Sequence, residues 1–197
     1  MAAAEDPTAG PRLVDDVRTL RALAHPVRLA LIEHLTVDGP LTATEASELV
    51  GESPSACSFH LRQLAKYGFV EETGEGTGRR RPWRITRIGM SFDPEAADPA
   101  VRRAGTEVTR MLRDRQLDRY RRWLATRSTW PEAWRHAAVD TEYAFWITPE
   151  ELDALGEELH ERLFALGRSR LGDPAARPEG SMPVELLLFA YPTGEPE

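Results

Sequence analysis

Hydroxyl, aromatic and basic side chains are concentrated in one short stretch of the chain, residues 53–66. Serine can hydrogen-bond to bases or phosphates, arginine can pair with guanine through two parallel hydrogen bonds, and an aromatic ring can touch a thymine methyl group. Together these groups suit the major groove of a DNA duplex. The candidate contact residues are Ser53, Ser55, Ser58, Phe59, His60, Arg62, Gln63 and Lys66.

Three consecutive arginines, Arg79, Arg80 and Arg81, follow a glycine-rich turn at residues 74–78. The flanking segments alternate as paired strands do, so the sequence predicts a hairpin over residues 69–86. The arginines would lie near its tip, within reach of phosphates or of a minor groove. Such a run could be only a solvated turn, but its position after the serine-rich stretch favours nucleic acid.

The net charge of −7 is the main objection to a nucleic-acid partner. Residues 53–87 contain seven basic and three acidic residues, a local charge of +4. Residues 128–197 contain five basic and fourteen acidic residues, a charge of −9. Salt screens charges beyond about 10 Å, so a phosphate backbone responds to the local patch. The distribution indicates a basic region for contact and an acidic C-terminal region.

Two short helices with a tight break between them must position the serine-rich stretch. Thr42 and Glu45 have the spacing of a capping box, and Gly51 ends the first helix where a left-handed residue is needed. Ser53 caps the second helix, and Pro54 occupies its first position, where a missing N–H costs nothing. These signals predict a helix-turn-helix.

The second helix has one apolar stripe, which contains Cys57, Leu61, Leu64 and Gly68. An adjacent stripe is then exposed. It contains Ser55, Ser58, Phe59 and Arg62. A structural role for Cys57 is favoured over a redox-sensing thiol, because it lies on the apolar stripe. His60 either reaches a phosphate or packs at the helix junction, and Phe59 either contacts bases or is a partly buried edge.

Residues 14–23 and 26–35 have apolar side chains at helical spacing, and Pro26 starts the second of these helices. Three helices therefore precede the contact helix, and the hairpin follows it. We expect a winged helix-turn-helix over residues 14–92, after a disordered segment at residues 1–13.

Several motifs in this region carry a family resemblance. They are His25-Pro26-Val27-Arg28-Leu29, the helix at 41–51, Ser53-Pro54-Ser55-Ala56-Cys57-Ser58-Phe59-His60-Leu61, Leu64, and Tyr67-Gly68-Phe69-Val70. In combination they resemble the ArsR-type winged-helix transcription regulators of bacteria. The resemblance implies DNA binding by a homodimer at a palindromic operator. Many members of that family release DNA when a metal or another signal binds.

The chain departs from the metal sensors of that family. Those proteins typically present a Cys-x-Cys pair on the helix that matches residues 43–50, or Asp, His and Glu ligands on the helix after the wing. Here residues 43–50 contain no cysteine, and residues 99–127 contain no histidine. Zinc and nickel need three or four convergent nitrogen or sulfur ligands, so we expect no metal and no other cofactor.

In the second half of the chain, the sequence predicts further helices and strands. A long helix at 99–127 has an apolar stripe that suits pairing with its twin in a dimer. Residues 139–147 alternate like a half-buried strand, a capping box at 148–151 opens a helix, and residues 184–191 suit a buried strand. We therefore expect a small C-terminal strand-helix-strand domain at 138–192. The fold class is mainly α with α+β elements.

Aromatic residues are frequent between residues 120 and 147. A packed core or a dimer interface is the preferred interpretation, and a pocket for an apolar small-molecule effector is the alternative. The candidate pocket residues are Trp123, Trp130, Trp134, Tyr143 and Trp146.

Composition excludes several classes of protein. No apolar run is long enough for a membrane span, and the single cysteine excludes an intrachain disulfide. The first residues lack the basic head and apolar middle of a signal peptide, so we expect a cytoplasmic protein. No strand or loop places two carboxylates around a cleft, so we expect no enzyme.

The sequence thus predicts a homodimeric, sequence-specific regulator of transcription, with double-stranded DNA as its partner. The alternative is a winged-helix module that binds proteins without specific DNA binding. The overall acidity motivates that alternative, and absent or sequence-blind duplex binding would favour it.

Overall fold

The computed structural model describes residues 11–75, 81–168, 170 and 174–194. The chain divides into two compact units: unit 1 contains residues 1–113 and 166–181, and unit 2 contains residues 114–165 and 182–197. The strands are β1 (Arg12–Leu13), β2 (Val70–Glu72), β3 (Trp83–Ile85) and β4 (Met90–Ser91). The helices are α1 (Val17–Leu23), α2 (Pro26–Val37), α3 (Ala43–Val50), α4 (Pro54–Lys66), α5 (Pro99–Thr126), α6 (Glu132–Ala137) and α7 (Pro149–Arg168). The expected fold class, mainly α with α+β elements, is confirmed.

The helix-turn-helix signals operate as the sequence predicts. The Thr42 hydroxyl accepts from the Glu45 amide at 3.3 Å, and the Glu45 carboxylate accepts from the Thr42 amide at 2.8 Å. Gly51 ends α3 with φ of +74°, a left-handed conformation that favours glycine. The Ser53 hydroxyl accepts from the Ala56 amide at 3.1 Å, which caps α4. Local sequence chemistry therefore sets both ends of the turn.

Leucine side chains from three helices meet in the core of unit 1. They are fully or almost fully buried. The set includes Leu20 and Leu23 of α1, Leu29, Leu31 and Leu35 of α2, and Leu61 and Leu64 of α4. Burial of a leucine side chain contributes about 1.5–3 kcal/mol. This seam holds α4 against α1 and α2 and fixes its rotation about its own axis.

The predicted hairpin is formed by β2 and β3, which pair antiparallel with Glu71 opposite Arg84. Its strands are shorter than expected, and Arg79 and Arg80 lie outside the described residues. Leu41 also pairs with Trp83, through hydrogen bonds of 3.0 and 2.8 Å in the two directions. The N–H and C=O of Trp83 are therefore both bonded to Leu41, and the hairpin is tied to the segment before α3.

The prediction of disorder over residues 1–13 is wrong for Arg12 and Leu13. These two residues form β1, which pairs in parallel with β4, whereas residues 1–10 lie outside the described part of the chain. Arg12 donates to the Tyr67 carbonyl at 2.8 Å, and its guanidinium lies 4.5 Å from the centre of the Phe69 ring. A charged hydrogen bond and a cation–π contact thus order this segment.

The long helix predicted after the hairpin is present as α5, with 28 residues. Its buried residues are Val101, Gly105 and Val108, all in its first half. A Cβ at Gly105 would lie 3.6 Å from the Phe92 Cβ, so the helix passes close to the chain that leaves β4. The rest of α5 carries half-buried and exposed side chains.

The C-terminal helix is confirmed, but the two strands beside it are not. The Thr148 amide donates to Glu151 at 2.8 Å and the Glu151 amide to Thr148 at 3.2 Å, which is the expected capping box at the start of α7. Residues 139–147 and 184–191 form no strand within the described chain. A strand needs a neighbouring backbone, and none of the described segments pairs with them.

The boundaries of the two units also differ from those of the C-terminal domain that the sequence predicts at residues 138–192. Residues 166–181 belong to unit 1, where Arg177 donates to the Val37 carbonyl at the end of α2, at 2.7 Å. None of the helices in the described ranges is long and apolar enough to cross a membrane.

Arg12→Ala should lower the free energy of unfolding by about 2 kcal/mol, because a hydrogen bond from a charged donor and a cation–π contact are both lost. Urea denaturation followed by tryptophan fluorescence measures the change. Arg18→Ala, which removes an exposed arginine side chain from α1, should change the value by less than about 0.5 kcal/mol. Equal effects of the two substitutions would contradict the anchoring role of Arg12.

Candidate nucleic-acid interface

One exposed stripe runs along α4. Ser55, Phe59, Arg62 and Lys66 are all exposed and follow one another at steps of four, three and four residues, the spacing of a single helix face. Phe59, a large apolar side chain, is 51% exposed. Since Cys57, Leu61 and Leu64 fill the buried face, this stripe is directed away from the core.

The other predicted contact residues of α4 are less accessible. Ser58, His60 and Gln63 are half-buried. The sequence places Ser58 on the exposed stripe, but in the structure it is half-buried and lies at the margin between the two faces. The Ser53 hydroxyl caps α4 and lies 3.0 Å from the Ser55 hydroxyl. The two hydroxyls are therefore held together at the N-terminus of the helix, where backbone N–H groups favour an anion.

Ion pairs across the hairpin hold two of its arginines. Arg81 lies 3.3 Å from Glu72, and Arg84 lies 2.7 Å from Glu71. The Arg81 side chain is 62% exposed, and exposed ion pairs of this kind contribute little stability. Arg81 can therefore exchange the carboxylate for a phosphate at small cost.

His60 packs against α2. Its ring centre is 4.4 Å from that of His25, whose Nδ1 accepts from the Val27 amide at 3.2 Å. His60 Nδ1 and Arg28 Nε are buried and have no hydrogen-bond partner among the described residues. This geometry supports a packing role for His60 at the helix junction, with Arg28 beside it.

Burial is the main cause of the lowered pKa of both histidines. The positive charge of Arg28 further lowers the pKa of His25, and the neighbouring His25 further lowers the pKa of His60. The neutral rings are thus the favoured form in the folded protein. The sequence does not assign this position to Arg28, although the residue belongs to the motif His25-Pro26-Val27-Arg28-Leu29.

Cys57 is fully buried on the apolar face of α4. Burial raises the pKa of its thiol, so the reactive thiolate is disfavoured. Both observations agree with a packing role.

The five aromatic residues proposed to line a pocket do not share one environment. Trp123, Trp130 and Trp134 are half-buried, and Trp123 stacks on Tyr120 with ring centres 6.1 Å apart. Tyr143 is 80% exposed and Trp146 is fully exposed. In the single chain these two side chains face solvent instead of lining an enclosed space.

Among the described residues, no group of three His, Cys, Asp or Glu side chains is arranged to hold a metal ion.

The region that contains this candidate interface is similar to known proteins. Residues 23–73 match the family model of a helix-turn-helix domain. The chain carries a helix-turn-helix domain. The HTH-type transcriptional regulator NmtR of Mycobacterium tuberculosis (strain ATCC 25618 / H37Rv) is 43% identical to it over 61 residues, which cover 31% of this chain and 48% of that protein. The matched segment thus spans about half the length of this curated relative.

The stability of the helix-turn-helix domain should depend on pH through His25 and His60. Both folded-state pKa values lie below the ordinary value of 6.5, so unfolding takes up protons in acid. Their contribution should be fully present above about pH 6.5 and should decrease as the pH falls below that value. The midpoint of urea unfolding, measured from pH 8 to pH 5, should fall accordingly.

The double variant His25→Asn, His60→Gln provides the control. Asparagine retains an N-cap acceptor for α2, and neither new side chain titrates. Its urea midpoint should vary less with pH than that of the wild type. An unchanged pH dependence would show that other groups are responsible.

Proposed function

We propose that this protein is a sequence-specific, DNA-binding transcriptional regulator of the ArsR type that acts as a homodimer in the bacterial cytoplasm. The observation that carries the proposal is the exposed stripe of α4, which belongs to a helix-turn-helix domain and is followed by a basic hairpin. The family resemblance of the motifs and the similarity to part of NmtR support the same assignment.

In this proposal α4 enters the major groove with its exposed stripe toward the base pairs. The Arg62 guanidinium pairs with a guanine, and the Phe59 ring touches a thymine methyl group. Ser55, held at the capped N-terminus of α4, donates to a phosphate or a base. These side chains differ in chemistry, so together they prefer one short sequence.

The hairpin and the end of α4 contact the backbone of the same duplex. Lys66 and Arg81 are exposed cations that meet phosphates, and Arg79 and Arg80 extend the basic segment in sequence. Such contacts set register and affinity but do not distinguish bases.

The proposal includes a homodimer because the contact surface of a single α4 is small. A single helix of 13 residues reads only a few base pairs, and a two-fold axis repeats that contact on a palindromic operator.

Arg62→Ala should reduce discrimination between the operator and its single-base variants by about 1–3 kcal/mol at one position, because one bidentate contact is lost. The operator is first selected from genomic fragments with the purified protein, and affinities are then measured by fluorescence anisotropy. Arg18→Ala removes an exposed arginine side chain from α1 and is the matched control. If Arg62→Ala leaves discrimination unchanged, the assigned docking is wrong.

Arg81→Ala should weaken binding to all sequences alike and lower the slope of log affinity against log salt concentration by about 1, since one phosphate contact is lost. The same titrations at several salt concentrations measure it. A sequence-dependent loss would instead place Arg81 against a base. Absence of duplex binding by the wild type would favour the protein-interaction alternative.

We also propose that the regulator is not a metal sensor of the kind usual in this family, since residues 43–50 and 99–127 lack the expected ligands. Addition of Zn²⁺, Ni²⁺ or Co²⁺ should leave operator affinity unchanged in the anisotropy assay. Release of the operator at a stoichiometric concentration of one of these ions would overturn the proposal.

A further inference from the structure

The described residues of unit 2 form no hydrophobic core of their own. In the described part of the chain, the last buried residue is Val108, and every described residue of unit 2 is half-buried or exposed. The leucines of α7 within unit 2 are not buried either, and Leu159 among them is exposed. Burial of apolar surface is the main stabilising term of a folded domain, so unit 2 needs a further surface to cover it.

Two segments of unit 2 expose most of its apolar surface. We call them the first open segment, residues 139–147, and the second open segment, residues 184–191. Their aromatic residues each expose half or more of their surface; these are Tyr143, Phe145, Trp146, Phe189 and Tyr191. At about 150–250 Å² for each full side chain, the five expose on the order of 700 Å². So many exposed apolar side chains on two short segments are typical of an interaction surface.

Two charged groups of the open segments, Asp140 and Glu185, are bonded within the chain. Tyr120 donates to Asp140 at 2.7 Å, and the guanidinium of Arg119 binds the Glu185 carboxylate, with Nε at 3.1 Å. Two adjacent residues of α5 thus hold one open segment each. The acidic residues of α7 lie outside both segments, whereas Glu142 lies within the first open segment.

The first open segment also has unpaired backbone groups. None of the amides of residues 139–147 donates to a backbone carbonyl of the described chain. The side chains alternate between apolar and polar as in a half-buried strand. A strand sequence with free amides and an apolar face is suited to pair with another backbone.

We propose that the two open segments form an interface with the same segments of a second copy of this chain. A standard interface buries about 800 Å² on each partner, and the exposed aromatic side chains of the two open segments supply a substantial part of that area. An apolar centre with charged residues around it is the usual anatomy of such an interface. In a dimer with a two-fold axis, the same surface of each copy contacts that of the other, so the open segments of one chain can form both halves of the contact.

A second copy of the chain suits the open segments better than a small molecule or DNA does. A small apolar molecule would fill a concave pocket, whereas Tyr143 and Trp146 face solvent. DNA is disfavoured, because residues 128–197 carry a charge of −9. The choice of a second copy also rests in part on the proposed function, since a palindromic operator needs two copies of α4.

Hydrogen–deuterium exchange of the wild-type full chain tests the interface without a substitution. Amides of both open segments should be protected at micromolar concentration and lose protection on dilution, in step with dissociation measured by sedimentation velocity. A protein that is monomeric at micromolar concentration would overturn the proposal. So would a dimer whose open segments exchange as fast as in the monomer, or protection that does not depend on concentration, which would point to a bound small molecule.

A charged double variant tests the same surface by substitution. Tyr143→Asp with Leu188→Asp should raise the dimer dissociation constant by about 100-fold, since two apolar side chains that the proposed interface covers are replaced by charges. Ala154→Asp adds a charge at an exposed position of α7 and should leave the constant unchanged. Equal dissociation constants for wild type and double variant would overturn the interface. These measurements use no DNA, so failure to bind an operator would affect the proposed function and leave this result standing.

Discussion

The burial of the α4 seam is the constraint on which the rest of the candidate interface depends. Cys57, Leu61 and Leu64 are completely buried against α1 and α2. A helix has 3.6 residues per turn, so fixing one face toward the core fixes the direction of every other side chain. The polar and basic residues of α4 are therefore held outward by hydrophobic energy, and no bond of their own is needed to orient them.

Contacts at both ends of α4 add to this constraint. At its start, Ser53 caps the helix and fixes the turn after α3. At its end, Arg12 bonds the Tyr67 carbonyl and lies over the Phe69 ring, which joins β1 and β4 to the segment that leads into the hairpin. The helix and hairpin are thereby held in one rigid arrangement within unit 1. A surface that must match a duplex benefits from such rigidity, because little ordering entropy is lost on binding.

The two units contrast in how their apolar residues are used. In unit 1 the leucines of α1, α2 and α4 cover one another. In unit 2 the leucines of α7 and the aromatic residues of the open segments remain accessible. The segments 139–147 and 184–191 have strand-like sequences, yet no backbone in the described chain pairs with them. Local sequence preference and single-chain structure disagree there, and the disagreement itself points to an intermolecular contact.

The sequence by itself determined the helices, their caps and the buried stripe of α4, because capping hydrogen bonds and helical periodicity act within a few residues. It also located the hairpin and the exposed residues Phe59 and Arg62. Only the tertiary structure decided features that depend on distant residues: the ordering of Arg12, the packing of His60 on His25, and the 46% exposure of Leu49 on α3. The eight-residue α3 buries Ala46 and Ser47 but not Leu49. The missing strands also depend on distant residues, since a strand forms only where a second backbone is available to pair with it.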